Sequence, residues 1–207
     1  MCALSVELAA AKLMLDEKHE DAIRTDSNHD ENVYCMGSVS GHNVVIGCLP
    51  AGRIGPTSAA TVVTQLQAAF KNIRSGLMVG IGGGVPSAEA DIRLGDVVVS
   101  RPDGSFGGVV QYDLRKAIPA DFQRMGTLNT PPQLLLSALS TIQADEMMGE
   151  SVLDPHLSIL ESVPTFRRSK AGPDILFDAA YDHENGRSCK HCSPGNQLSR
   201  PPRDKEE

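Results

Sequence analysis

The chain has 207 residues, 41% of them apolar and 4% aromatic with no Trp, and a formal net charge of -7. That length suits one domain with a sizeable core. The acidic balance and the scarcity of stacking aromatics exclude nucleic acid as the main partner, no run of 18 apolar residues reads as a membrane span, and five cysteines, an odd number, point to a reducing compartment, the cytoplasm.

The opening MCALSVELAAAKLML has no basic n-region and no cleavage site, so it reads as an amphipathic helix from Val6 to about Leu15 rather than a leader. The polar, acidic stretch DEKHEDAIRTDSNHDEN follows as a solvated helix end and loop. VYCMGSV and NVVIGCLP flank Ser40-Gly41-His42, which predicts a β-hairpin on a glycine turn. Ala59, Val62, Val63, Leu66 and Phe70 recur at helical spacing, so a helix starts at Pro56-Thr57-Ser58 and runs to about residue 70.

Leu77–Ile81, Asp96–Ser100 and Gly108–Tyr112 read as short strands. Thr130-Pro131-Pro132 opens a helix through Leu135, Leu139 and Ile142. A shorter helix covers Leu157–Val163 and stops at Pro164, and Asp174–Phe177 reads as a brief strand. From residue 181 the chain is polar and rich in Pro, Gly and charge, the pattern of an exposed loop or disordered tail, so the ordered domain is placed at 1–180. A hairpin followed by strands alternating with helices predicts an α/β fold with a mixed sheet.

Two glycine-rich turns stand where strands end, the position at which open α/β sheets take ligands. In LPAGRIGPTSAA, free N–H groups at a helix start favour an anion, and Arg53 offers a charge-assisted contact. The alternative there is a tight capped turn with nothing bound. GIGGGVP is neither a Walker motif nor a dinucleotide fingerprint: no Lys-Ser/Thr follows, and Val85 stands in the place of the third glycine. It reads as bare backbone lining a small-molecule pocket, or as a strand-end bulge.

Cys189-x-x-Cys192, with His183 and His191 nearby, is half a zinc site without a visible second pair, and is read as free thiols with no metal assigned. Glu7, Asp96 and Asp113 are the carboxylates available for acid–base work, with no visible relay partner.

LPAGRIGPTSAATVVTQL followed by GLMVGIGGGVPSAEADIRLGDVVVS resembles the nucleoside phosphorylase and nucleosidase superfamily, more narrowly a fungal branch found at the head of large multidomain proteins. FGGVVQYDLRK, GTLNTPPQLLLSAL, YDH and RPPRD resemble it too. The resemblance implies a phosphorylase-like mixed sheet flanked by helices. It implies cleavage of the N-glycosidic bond of a purine nucleoside or nucleotide, by water or by inorganic phosphate as co-substrate, with no other cofactor.

On that resemblance Glu7 falls near the water-activating glutamate. Gly52, Arg53, Gly55, Gly80, Gly82, Gly83 and Gly84 form the phosphate or water and ribose pocket, and Gln111, Tyr112 and Asp113 the base-side loop. Met78 replaces the phosphate-binding Arg of phosphorylases, which tilts the chemistry toward hydrolysis, while Arg53 offers a substitute charge. The ribose-binding Met-Glu and base-protonating Ser-Asp segments have no counterpart after Arg203, so the domain reads as incomplete and truncated at both ends. The alternative is a catalytically inactive nucleoside-sensing or signalling module, or an inactive fragment. The expected partners are a nucleoside or nucleotide, with homo-oligomers or further domains covering the exposed sheet edges.

Overall fold

The computed structural model describes residues 1–19, 30–87, 90–112, 115–118, 121–124, 128–150, 153–183 and 188–202. The chain is of the mixed α/β class, with helices α1 Ser5–Leu13, α2 Pro56–Ala69, α3 Gln133–Met147 and α4 Asp154–Glu161. Strands β1 Glu17–Lys18, β2 Tyr34–Val39 and β3 His42–Gly47 form an antiparallel sheet in the order β1-β2-β3. A separate antiparallel pair joins β4 Arg115–Ile118 to β5 Asp121–Arg124.

Two compact units divide the chain: Met1–Gly83 with Val97–Arg167, and Gly84–Asp96 with Arg168–Glu207.

The hairpin forms where the sequence places it. Ser40 and Gly41 both take positive φ, 47° and 76°, as the tight primed turns between strands require. This fixes the register Tyr34↔Gly47 through Val39↔His42. Gly37 in β2 is obligatory: a Cβ there would collide with the Glu17 carbonyl oxygen and lie 2.9 Å from Leu15 Cδ1. Without a side chain, β1 can pair with β2, Lys18 opposite Gly37.

α2 packs on the hairpin along its predicted stripe. Val62 is 2% exposed, Leu66 lies over Gly47, and Phe70 meets the Tyr34 ring edge-on at 5.1 Å between centroids. Cys2, Ile46 and Leu49 complete this small core. Cys2 bridges Cys48 in parallel fashion, with Cys2 N–H donating to the Gly47 carbonyl and Leu49 N–H to the Cys2 carbonyl, each at 3.0 Å.

The three later strand expectations are corrected. Leu77–Ile81, Asp96–Ser100 and Gly108–Tyr112 have no ladder among the described residues. Apolar alternation makes a strand only where a neighbouring strand accepts its backbone groups. Leu77–Val79 finds one residue to pair with: the Met1 amino group donates to the Leu77 carbonyl at 2.7 Å, and Val79 N–H donates to the Met1 carbonyl at 3.0 Å. The side chains stay in solvent, with Met78 75%, Ile81 74% and Val98 73% exposed.

α3 and α4 carry the predicted apolar positions, yet neither buries a residue fully among those described. The brief strand expected at Asp174–Phe177 reduces to a single bridge, Phe177↔Gln197. Beyond residue 181, short 3-10 turns form at Cys189–His191 and Pro194–Asn196.

Candidate functional site

A cleft of about 630 Å³ opens at the amino end of α2. Its floor is helical, from Thr57, Ser58, Thr61, Val62 and Gln65. The Pro50–Ile54 turn forms one wall, and Glu31 with Asn32 the other. Local sequence dictates the turn. Gly52 and Gly55 take φ of 78° and 96°, a region costly to any residue with a Cβ, and Pro56 occupies the first helical position, where its missing N–H is no loss.

Gly55 is the N-cap and offers no side chain to the first-turn amides, and no acidic residue stands in that turn. The helix therefore presents uncapped N–H groups and the positive end of its dipole. Arg53, exposed, sits in the turn, its own N–H donating to the Pro50 carbonyl at 2.9 Å. It forms no ion pair among the described residues.

Asn32 of the opposite wall belongs to a polar network that runs behind it. Asn32 Nδ2 donates to Gln65 Oε1 at 2.7 Å and to the Tyr34 hydroxyl at 3.0 Å, and that hydroxyl donates to Asp30 Oδ2 at 2.8 Å. Burial, helped by the Asp30 carboxylate, pushes the Tyr34 phenol up to about 12, so it stays a protonated donor. The cleft thus sets a cation and helix amides against amide and carboxylate acceptors.

Of the residues singled out in the sequence, this cleft gathers Gly52 and Arg53, with Gly55 capping the helix below them. The second glycine run does not line it. Gly80 is glycine because the Glu7 carboxylate lies where a Cβ would be, 2.8 Å from Oε1, and Gly84 because Ile92 crowds it at 2.6 Å. Gly82 and Gly83 face open space. Gly80–Gly84 all lack positive φ, so close approach of side chains, not backbone freedom, explains glycine at Gly80 and Gly84.

Glu7 is the third residue of α1. Its carboxylate accepts from Ala3 N–H at 2.7 Å, Leu4 N–H at 2.9 Å and Ile81 N–H at 2.8 Å. The Ile81 bond, then the Leu4 bond, with a smaller part from Ala3, holds the carboxyl below its usual range despite an opposing desolvation effect. Glu7 is an anchor between the start of α1 and the extended 77–81 segment. Gln111 is half-buried and Tyr112 exposed, neither lining the cleft, and Asp113 lies outside the described residues.

Sequence reasoning missed Glu31, Asn32 and Gln65. Their chemistry at this spot depends on a contact 33 residues apart in sequence, between Asn32 and Gln65.

Among the described residues no helix is long and apolar enough to cross a membrane. His183, Cys189 and Cys192 bring one ligand atom each within 4.8 Å of one another.

No family model matches the chain, and no solved structure matches it. The chain is similar to a nucleotide-binding leucine-rich repeat (NLR)-like protein of Hyaloscypha variabilis, 42% identical over 194 residues. The match takes in 92% of this chain and 19% of that protein. The relative's name is not that of a nucleoside phosphorylase or nucleosidase. The expectation of a nucleoside phosphorylase-like domain that cleaves glycosidic bonds in nucleoside metabolism is corrected on this finding. That expectation rested on a resemblance of motifs along the chain, the glycine-rich turns LPAGRIGP and GIGGGVP among them. Such turns suit any small anion and do not specify a reaction.

Proposed function

We propose that the chain is a catalytically inactive sensing module of a larger signalling protein, and that the α2 cleft takes a nucleoside or nucleotide without turning it over. The observation that carries this is the 42% identity over 92% of the chain to an NLR-like protein of which the match covers 19%. The cleft supports the ligand class. Uncapped α2 amides and Arg53 suit a phosphate, while Glu31 and the Asn32–Gln65 amides suit hydroxyl and amine groups.

The exposed stretches around Met78, Ile81 and Val98 support a further part of the proposal: other segments of a larger protein cover them, and a mixed sheet flanked by helices grows outward from the Met1–Leu77 pairing. Five free cysteines support a cytoplasmic setting.

The test is calorimetry of the purified chain against adenosine, its monophosphate and triphosphate, and inorganic phosphate, with chromatography for released base. The expected result is saturable binding of a phosphorylated nucleoside, weakened at least tenfold, about 1.4 kcal/mol, in Arg53→Ala. No binding across the panel would favour an inactive fragment, and release of free base would overturn the sensing reading.

A further inference from the structure

We propose that His183, Cys189 and Cys192 form a binding site for a thiophilic divalent cation, zinc above all, that staples the unit made of Gly84–Asp96 and Arg168–Glu207. The three donor atoms, two sulfurs and one imidazole nitrogen, lie within 4.8 Å of one another. His183 Nδ1 stands 3.1 Å from Cys192 Sγ. A tetrahedral zinc with Zn–S of about 2.3 Å and Zn–N of about 2.0 Å needs donor separations of roughly 3.5–3.8 Å. The observed separations, 3.1 Å for His183 and Cys192 and at most 4.8 Å for the others, lie within about 1 Å of that spacing. The fourth tetrahedral position falls to water or an added donor.

The backbone is already arranged for it. Cys189 to Cys192 closes as a single 3-10 turn, Cys192 N–H donating to the Cys189 carbonyl at 3.2 Å, which turns both thiols of the C-x-x-C to one side. His183 is carried to them by an independent tether. The Phe177 and Tyr181 rings stack at 5.6 Å, and the Tyr181 hydroxyl accepts from Ser193 N–H at 2.8 Å. Asp178 N–H donates to the Asn196 carbonyl and Leu198 N–H to the Leu176 carbonyl, at 2.9 and 2.8 Å. Two chain segments are thus zipped together directly beside the donors, the support a metal site needs.

The energetic case comes from the unit's core. Among its described residues Cys192 alone is buried, at 7% exposure. A unit this small cannot hold itself by apolar burial, and a metal or disulfide is the usual remedy. All five cysteines are free thiols, and a reducing setting keeps them so. Soft thiolates with one imidazole select zinc over magnesium or calcium.

The probe is cobalt(II), then zinc, added to the whole reduced chain. One equivalent of cobalt should give a thiolate-to-metal charge-transfer band and tetrahedral visible bands, both bleached by one equivalent of zinc. Zinc should raise the melting temperature and a chelator should reverse the rise. Cys189→Ser, at an exposed position, should weaken binding at least tenfold and cut the charge-transfer intensity by about half, and His183→Gln should weaken it at least tenfold. His191→Gln should leave it unchanged. A wild-type chain with no charge-transfer band overturns the proposal. So does a band that survives Cys189→Ser intact, or an air-exposed chain two hydrogens lighter whose reduced form retains no metal, the mark of a redox pair.

Discussion

In the unit formed by Met1–Gly83 and Val97–Arg167, order comes from the backbone. A six-residue ladder joins β2 to β3, α2 lies on it, and Val62, Ile46 and Leu49 are buried beneath. The unit formed by Gly84–Asp96 and Arg168–Glu207 has one isolated bridge among its described residues and depends on side chains instead. Asp91 is gripped by both Arg93 and Arg200, and Arg200 also holds Asp174. Arg93 Nη2 also donates to the Pro201 carbonyl at 2.7 Å. A ladder resists salt and acid, whereas partly exposed ion pairs are screened by the one and protonated by the other. The two units should therefore fail under different insults.

The largest blow to the first unit is Gly37→Val. A side chain in β2 meets the Glu17 carbonyl and Leu15, and the cost is about 3 kcal/mol or more. A urea denaturation midpoint that stays in place would remove close packing as the reason for that glycine. Val62→Ala comes next, with an expected loss of about 2 kcal/mol from the cavity under α2. Its urea transition should shift while ion-pair exchange in the second unit is unaffected.

Glu7→Ala removes three backbone bonds and should cost about 1 kcal/mol, as loss of a helix cap does. The same contact gives a pH signature. Hydrogen bonds lower the folded-state Glu7 pKa, so its contribution is present above the usual carboxylate range near ~4 and fades as pH falls through the lowered value. The protection factor of the Ile81 amide, its exchange relative to the intrinsic rate at each pH, should fall on acidification in the wild type and be low at every pH in Glu7→Ala.

In the second unit Asp91 is also held below its usual range, first by the Arg93 hydrogen bond and then, against desolvation, by Arg200. Its contribution likewise belongs to neutral pH and is lost in acid. Arg200→Met should lower amide protection factors around Asp91 and Asp174 at pH 7 and reduce their acid dependence, the Arg93–Asp91 pair retaining the rest. An unchanged exchange map would mean that the ion pairs follow the fold rather than hold it. The smallest effect is spectroscopic. One of the three tyrosines, Tyr34, should titrate at about 12, above the ordinary value of ~10.

The same division explains what the sequence made legible. Ser40-Gly41-His42 and the stripe Ala59, Val62, Val63, Leu66, Phe70 are local signals, and the hairpin and α2 follow them. The Gly52–Gly55 turn was legible too, because positive φ and an uncapped helix start are short-range properties. Leu77–Ile81 and Asp96–Ser100 have the composition of strands, yet pairing depends on what lies beside them, which no window of sequence contains. The β4–β5 pair was missed because RKAI and DFQR carry little alternation. Cys189-x-x-Cys192 is visible as spacing, whereas its approach to His183 rests on the Tyr181–Ser193 and Leu176–Leu198 tethers. Catalysis was an expectation of the resemblance, whereas the glycine-rich turns themselves define a shape that holds anions without specifying what is done to them.

On the proposed function a ligand lands in the α2 cleft and not on the Gly80–Gly84 run. That placement is tested most directly by labelling the glycine amides with nitrogen-15 and titrating the chain with a nucleoside monophosphate. Saturable shifts are expected at Gly52 and Gly55 that vanish in Arg53→Ala, with Gly82 and Gly83 still. Shifts confined to Gly82 and Gly83, or no shift at any glycine, would contradict it.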